Sequence, residues 1–164
     1  MPNTPNSISS PISSPIANIR YLDWPAPARV KACYSLRNNG VSESPYASFN
    51  MGDHVGDQLD HVVANRQQLA QLIGQEKIAW LKQVHGVHVI DATEAITANT
   101  PIAADACFSH QAQQVCCVMT ADCLPVFLTN RSGSQVAVVH AGWRGLLDGV
   151  IQQTLSSFDR SEPL

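Results

Sequence analysis

Two residues that can bind a metal or form a catalytic pair lie 17 positions apart, each at the end of an apolar run. Cys123 comes shortly after the run 115–119, which has the composition of a strand buried on both faces. His140 directly follows the apolar run 136–139. A thiolate and an imidazole that meet at the rim of a sheet suit either a zinc site or a Cys-His nucleophilic pair.

The surrounding elements predict that these two residues meet. The apolar runs 126–128 and 136–139 flank the segment 130–134, which has the length and composition of a hairpin loop. If the runs pair antiparallel, the start of one lies beside the end of the other, at one rim of the sheet. Pro125 requires the residue before it to be extended, which stiffens the chain just after Cys123.

A third candidate ligand comes from the segment IAWLKQVHGVHVID, which favours two strand-like runs, 78–84 and 87–91, with a kink at Gly86. His85 and His88 form an H-x-x-H pair, but residues three apart in an extended chain point to opposite faces. Only one of them is therefore expected in a site. His85, beside the kink, is the better candidate, and His88 is predicted to be a surface or packed histidine.

Helical spacing predicts an amphipathic helix that is capped by Asp57 or Asp60 and ends at Gly74 as the C′ residue. Its apolar stripe comprises Leu59, Val62, Leu69 and Ile73. Arg66 falls on the same stripe. Two interpretations stay open: an arginine that snorkels at the edge of the core, or a cation aimed into a cleft to bind a phosphate or carboxylate.

The segment after His140, AGWRG, predicts a turn that leads into a second amphipathic helix. The apolar face of that helix comprises Leu147, Val150, Ile151, Leu155 and Phe158. A strand, a glycine-containing turn and a helix leave free backbone N–H groups at the helix start, which favours an anion. Arg144 lies in the turn, so the segment that supplies a metal ligand also supplies two means of holding a phosphate.

Composition limits the remaining possibilities. A chain of 164 residues suggests one domain, and we expect residues 1–18, rich in Ser and Pro, to be a disordered tail before a domain at 19–164. A net charge of −3 with ten basic residues excludes a nucleic-acid footprint, and no apolar run has the length of a membrane span. We also see no secretory signal. Five cysteines, two of them adjacent, do not form a disulfide framework and indicate a reducing cytoplasm.

Composition also predicts the secondary structure of three segments between these motifs. Residues 30–35 and 105–109 are predicted to be short strands, and 93–104 a loop. The cysteines other than Cys123 are expected to pack in the core as small hydrophobic residues; these are Cys33, Cys107, Cys116 and Cys117.

With VHG, TADCLPV and HAGWRGL in view, the chain resembles the peptidoglycan editing factor family, also called the laccase-domain or YfiH-like purine nucleoside phosphorylases. The segments GVSESPYASFNMGDHVGD and VANRQQL lie in the family's order, and the resemblance covers roughly residues 19–158. It implies an α/β fold, a four-layer α/β/β/α sandwich with mixed sheets. Family members continue past the HAGWRG helix, so we expect part of the second sheet and one wall of the pocket to be missing here.

The resemblance implies a catalytic zinc held by His85, Cys123 and His140. Two imidazoles and one thiolate leave a fourth tetrahedral position open, as catalytic zinc sites do. Members phosphorolyse adenosine, inosine, guanosine and methylthioadenosine, and they deaminate adenosine. By the same matching, Arg66, Arg144 and Asn50 contact the nucleoside or the phosphate. The expected partners are therefore a purine nucleoside and phosphate, with the chain a monomer or homodimer.

Other functions stay open. The family includes polyphenol oxidases, but a multicopper laccase needs more histidines than the six present, so copper is the less favoured metal. Peptidoglycan editing by a metal-free cysteine hydrolase would use a Cys123–His140 pair. In the zinc mechanism, Asp122 beside Cys123 would orient a ligand or act as a base, unless the strand continues through it and turns it to the other face. An inactive zinc-binding fragment would need a fourth protein ligand, for which the candidates are His54, His88 and Cys107.

Overall fold

The computed structural model of the chain describes residues 18–159. The predicted tail lies outside the described residues except for Asn18, which is buried. The strands are β1 Ile19–Tyr21, β2 Cys33–Ser35, β3 Ile78–Ala79, β4 Leu81–Lys82, β5 Val89–Asp91, β6 Ile102–Ala103, β7 Ala106–Ser109, β8 Val115–Cys116, β9 Leu124–Thr129 and β10 Val136–Ala141. The helices are α1 Leu59–Ile73, α2 Ala92–Thr97, α3 Trp143–Asp148 and α4 Val150–Leu155. In the part of the chain so described, no helix combines the length and apolar character that a membrane crossing requires.

A mixed four-stranded sheet in the order β5-β7-β10-β9 forms the centre of the molecule. Strands β5 and β7 run parallel, whereas β10 is antiparallel to both of its neighbours. Val139 and Ala106 are fully buried on this sheet and pack in one cluster with Val150 of α4. Two-stranded ladders join β1 to β2, β3 to β8 and β4 to β6. The predicted α/β fold class with several sheets is confirmed, and the central sheet is the mixed one.

The predicted hairpin is present as β9 and β10. Its register pairs Val136 with Thr129 and His140 with Pro125. Asn130 closes the loop, since its Oδ1 accepts the Gln135 backbone N–H at 3.1 Å and its Nδ2 donates to Ser134 Oγ at 2.8 Å. The antiparallel pairing therefore brings the start of β9 beside the end of β10, as the sequence predicted.

The predicted strand 115–119 is wrong in length, because only Val115 and Cys116 join a ladder, as β8. The chain beyond β8 is held by a side chain instead. Gln83 accepts the Met119 backbone N–H at 2.6 Å and donates to the Met119 carbonyl at 2.8 Å. The amide side chain thus takes the place that a neighbouring strand would occupy.

The kink between the strand-like runs falls one residue earlier than predicted. His85, not Gly86, has the left-handed backbone conformation, with a φ of 61°. The run before it divides into β3 and β4 and ends at Lys82. The reason lies elsewhere in the chain: Asp105 accepts the backbone N–H groups of three successive residues, 84–86, and holds them in a turn.

The predicted loop 93–104 instead contains α2 and β6. Asp91 caps α2, because its side chain accepts the Thr93 N–H at 2.7 Å. Ala92 and Ala95 are buried on the inner face of this helix. An aspartate followed three residues later by Glu94 resembles a helix start, and this signal was available in the sequence.

Helix α1 ends as predicted at Gly74, which has a φ of 66° and whose backbone N–H donates to the carbonyls of Ala70 and Gln71 in the last turn. Neither predicted aspartate caps its start. The N-cap is Gln58, without a side-chain cap, and Asp57 accepts the Gln58 N–H instead. Leu59 is 63% exposed, so the predicted apolar stripe begins one turn later, at Val62.

The predicted helix after His140 is interrupted. Gly149 adopts a φ of 93° and separates the two six-residue helices α3 and α4. Leu147, predicted on the buried face, is 79% exposed, whereas Val150 is fully buried. The apolar face does not continue across Gly149 because the left-handed residue changes the direction of the helix axis.

Candidate metal centre

The three side chains expected to bind a metal come together in the fold. One nitrogen each of His85 and His140 and the sulfur of Cys123 all lie within 4.8 Å of one another. The His85 Nε2 to Cys123 Sγ distance is 3.9 Å, and the two imidazole ring centres are 4.7 Å apart at an interplanar angle of 73°. His140 is buried, Cys123 is half-buried and His85 is exposed, so the centre opens toward solvent on the His85 side.

Each ligand is positioned by a different piece of local structure. Cys123 precedes β9 and His140 lies near the end of β10, so the hairpin register places them at one rim. His85 occupies the left-handed turn between β4 and β5. The backbone of Gly142 packs closely against two of the ligands. A Cβ on this residue would lie 2.9 Å from His85 Cδ2 and 3.1 Å from Cys123 Sγ.

The polar residue that organises this site, Asp105, was not singled out from the sequence. It is fully buried just before β7, and its Oδ1 accepts a hydrogen bond from His140 Nδ1 at 2.8 Å. The same oxygen accepts the His85 backbone N–H at 2.8 Å, and Oδ2 accepts that of Gly86 at 2.7 Å. The available signal was an acidic residue inside the apolar segment 102–108, where an unpaired carboxylate would be costly.

These residues fit a metal ion. A carboxylate can only accept hydrogen bonds, so the contact with Asp105 places the hydrogen of His140 on Nδ1. The lone pair of Nε2 is then free to coordinate a metal ion. A histidine ligand whose other nitrogen binds a carboxylate is the usual arrangement in metalloproteins. Two imidazoles and one thiolate form a donor set that suits zinc or copper.

The Cys123 thiol is not activated by the protein alone. Burial raises its pKa, and the neighbouring carboxylate of Asp122 raises it further. A nucleophilic cysteine needs the opposite shift. A bound cation reverses the effect, because a thiol that coordinates a metal is deprotonated.

Arg66, a predicted phosphate contact, binds within the protein. Its Nε donates to the Met51 carbonyl at 3.0 Å, its Nη2 lies 3.3 Å from an Asp53 carboxylate oxygen, and its guanidinium stacks over Trp80 at 4.2 Å. Arg66 and Trp80 line an open cavity of about 720 Å³. Arg66 is thus half-buried and faces this cavity. Its binding of a phosphate or carboxylate from outside stays a prediction.

Asn50 and Arg144, the other two predicted substrate contacts, have different surroundings. Asn50 is engaged in its own loop, where its Nδ2 donates to Asp57 Oδ2 at 2.9 Å and its Oδ1 accepts the Gly52 N–H at 3.0 Å. Arg144 is exposed, with its guanidinium over the Trp143 ring at 5.1 Å. Its role in binding substrate stays a prediction. The six-residue α3 is too short to add an anion site of its own.

A structural zinc site with four protein ligands is not formed among residues 18–159, because the cluster of donor atoms comprises only three side chains. The proposed fourth ligands lie elsewhere. Cys107 is buried in a separate apolar cluster, His88 binds the Ala103 carbonyl at 2.7 Å, and His54 lies 3.5 Å from Asp53. His88 is exposed, as expected from the H-x-x-H spacing.

The fold and the site together define a mixed α/β protein with a three-ligand His-Cys-His centre at a sheet rim. A family model described as multi-copper polyphenol oxidoreductase laccase matches residues 31–163. The chain therefore belongs to this laccase-domain family, as the motifs suggested.

Relatives of known name are similar over most of this chain. Purine nucleoside phosphorylase YfiH of Shigella flexneri is 50% identical over 136 residues, which cover 82% of this chain and 55% of that protein. A purine nucleoside phosphorylase of Pseudomonas aeruginosa is 46% identical over 135 residues, 82% of this chain and 54% of its own length. The crystal structure of a Neisseria meningitidis protein matches with a TM-score of 0.81 at 45% identity, over 85% of this chain and 57% of that one. The chain thus spans about half the length of the curated relatives it matches.

Proposed function

We propose that this chain carries the zinc centre of a purine nucleoside phosphorylase. The observation that carries the proposal is the meeting of His85, Cys123 and His140 within 4.8 Å, in a chain 50% identical to a relative named for that activity. In this proposal the substrates are a purine nucleoside and phosphate, the working unit is a monomer or homodimer, and the reaction releases the free base.

The three ligands would hold the zinc, with His140 fixed by Asp105 and His85 on the open side. When bound, the ion supplies a Lewis acid that polarises an oxygen of the substrate. The raised pKa of the Cys123 thiol disfavours a free thiolate nucleophile, which weakens the alternative of a metal-free cysteine hydrolase. A bound metal would deprotonate the same thiol.

Phosphate binding is assigned to the two arginines on different grounds. Arg144 follows the ligand His140 by four positions and is exposed, so its guanidinium is available to an anion. Arg66 is held by Asp53 at 3.3 Å, so a phosphate would have to replace that carboxylate. Of the two, Arg144 is the stronger candidate and Arg66 the one that requires rearrangement.

Copper is the second candidate metal, because a site of nitrogen and sulfur ligands binds Cu²⁺ more tightly than Zn²⁺. The donor set supports this alternative, which would give oxidation of phenols instead of phosphorolysis. Metal analysis of the purified chain distinguishes the two, since the bound metal and the product would change together.

The test combines metal content with product analysis. We expect about one zinc per chain and release of adenine from adenosine only when phosphate is present. H85Q should lose the metal and the reaction. H88Q is the matched control, because the His88 ring is exposed, lies 2.7 Å from the Ala103 carbonyl and is not one of the three clustered ligands, so this variant should keep both.

Each other outcome identifies a different function. Inosine formed without phosphate would indicate adenosine deamination. Bound zinc with neither product would limit the proposal to metal binding. A chain that binds neither zinc nor copper would contradict the metalloenzyme proposal.

A further inference from the structure

A single buried carboxylate joins two of the three metal-binding segments. Asp105 is fully buried, and both of its oxygens are used by hydrogen-bond donors of those segments. Oδ1 is shared between His140 Nδ1 and the His85 backbone N–H, each at 2.8 Å. Oδ2 accepts from Gly86 at 2.7 Å and from Val84 at 3.2 Å. These donors lie 19 to 21 positions before Asp105 and 35 positions after it.

The contact with His140 determines which nitrogen of that ring faces the centre. Because the carboxylate accepts at Nδ1, the neutral ring carries its hydrogen there and presents the Nε2 lone pair. The backbone adds a second restraint, since the His140 N–H donates to the Asp105 carbonyl at 2.7 Å. Both the ring and the main chain of this ligand are therefore held by one residue.

The contacts with residues 84–86 stabilise the other imidazole ligand. A non-glycine residue at a φ of 61°, as His85 has, is unfavourable unless its surroundings hold it. Three N–H groups that converge on one carboxylate supply that restraint. Without the carboxylate, these donors would lose their partner, and the turn that aims His85 at Cys123 would relax.

We infer that Asp105 is the positioning residue of the metal centre, which it prepares before metal binds by fixing the His140 tautomer and the His85 turn together. This role rests on the proposed metal site and adds a residue to it. Asp105 is not one of the three clustered ligand side chains, and in this inference it acts through the two ligands that it holds. Carboxylates in this relation to a ligating histidine typically change metal affinity by about 10–100-fold.

The experiment measures zinc affinity of the full chain by competition with a chelating indicator, for the wild type, D105N and D105E. We expect D105N to weaken zinc binding about 10–100-fold and to alter the visible absorption spectrum of the Co²⁺-loaded protein. D105E, which keeps the carboxylate, should recover part of the affinity. D91N is the matched control, since Asp91 also accepts a backbone N–H, that of Thr93, but contacts no metal ligand.

Equal zinc affinity and unchanged Co²⁺ spectra in D105N and the wild type would overturn the inference. If D105N does not fold, the tautomer of His140 in the wild type tests the inference. Nitrogen NMR of the metal-free protein at about pH 8, where free imidazole is neutral, should show His140 as the Nδ1–H tautomer. The Nε2–H tautomer would overturn the inference. A wild type that folds and shows the Nδ1–H tautomer but binds no zinc would instead contradict the proposed metal centre.

Discussion

At the scale of single residues, the metal centre depends on Gly142, because the lack of a Cβ atom there leaves space for two of the ligands. Gly142 lies where β10 leads into α3, and its backbone φ of −65° is one that any residue can adopt. The reason for glycine is therefore space, because a Cβ would approach His85 Cδ2 to 2.9 Å and Cys123 Sγ to 3.1 Å. Contacts this short force the neighbouring atoms to move, and here the neighbours are two of the three ligands.

We expect G142A to weaken zinc binding at least about tenfold while leaving the chain folded, since an error of about 1 Å in ligand placement is enough to impair a designed or natural site. Competition with a chelating indicator measures the affinity, and far-ultraviolet circular dichroism checks the fold. G52A is the matched control, because a Cβ there meets nothing closer than 3.4 Å. Wild-type zinc affinity in G142A would show that the ligands accommodate the methyl group.

At the scale of elements, the loop before α1 is organised by a carboxylate. Asp57 accepts the side-chain amide of Asn50 at 2.9 Å and the Gln58 N–H at 2.8 Å. Hydrogen bonding from Ser42 is the main cause that lowers the pKa of Asp57, and the contacts with Asn50, Gln58 and His61 lower it further, while burial opposes them. The loop is thus tied to the helix through one charged group.

A lowered pKa in the folded state means that the ionised carboxylate stabilises the fold. This contribution is present above the unfolded-state pKa, about 3.9, and is lost as the pH falls through the lower folded-state pKa. We therefore expect the difference in free energy of unfolding between the wild type and D57N to shrink as the pH falls from about 5 through the unfolded-state pKa and below it. Urea denaturation at several pH values measures it. A difference that does not change with pH would contradict the role of the charge.

At the scale of the whole molecule, apolar side chains are distributed unevenly. Val139 is fully buried in the central sheet, in the cluster that also contains Ala106 and Val150. By contrast, several large apolar side chains that are close in sequence to the three ligands are exposed; these are Val84, Leu124, Trp143, Leu146 and Leu147. The chain spans about half the length of its named relatives. Val84 and Leu124 directly adjoin the ligands His85 and Cys123 in the sequence.

This distribution predicts that two substitutions, one in β10 and one in α3, change the free energy of unfolding by very different amounts. V139A should lower the free energy of unfolding by about 2 kcal/mol, because it removes buried methyl groups and leaves a cavity. L147Q should change it by less than about 0.5 kcal/mol, because Leu147 is 79% exposed. Urea denaturation measures both. A large loss of stability in L147Q would mean that Leu147 is covered in solution, which size-exclusion chromatography would detect as an oligomer.

The local parts of this molecule follow from the sequence. The loop 130–134 and its flanking apolar runs determined the hairpin, and the hairpin register then placed Cys123 beside His140. Gly74 ended its helix where predicted, since a left-handed residue needs no distant partner. The two-residue period of an extended chain predicted that only one of His85 and His88 joins the site, and the adjacent kink favoured His85. In each case the deciding interactions lie within a few residues along the chain.

Other features were decided only by the tertiary structure. Asp105 meets His85 and His140 across 20 and 35 positions, and no short-range pattern specifies such contacts. The same holds for the carboxylate partner of Arg66 and for the space that Gly142 leaves open. The order of strands in the sheet brings these segments together. The sequence alone therefore determined which residues could bind a metal, whereas the tertiary fold decided which buried carboxylate holds two of them in place, because that depends on packing between distant segments.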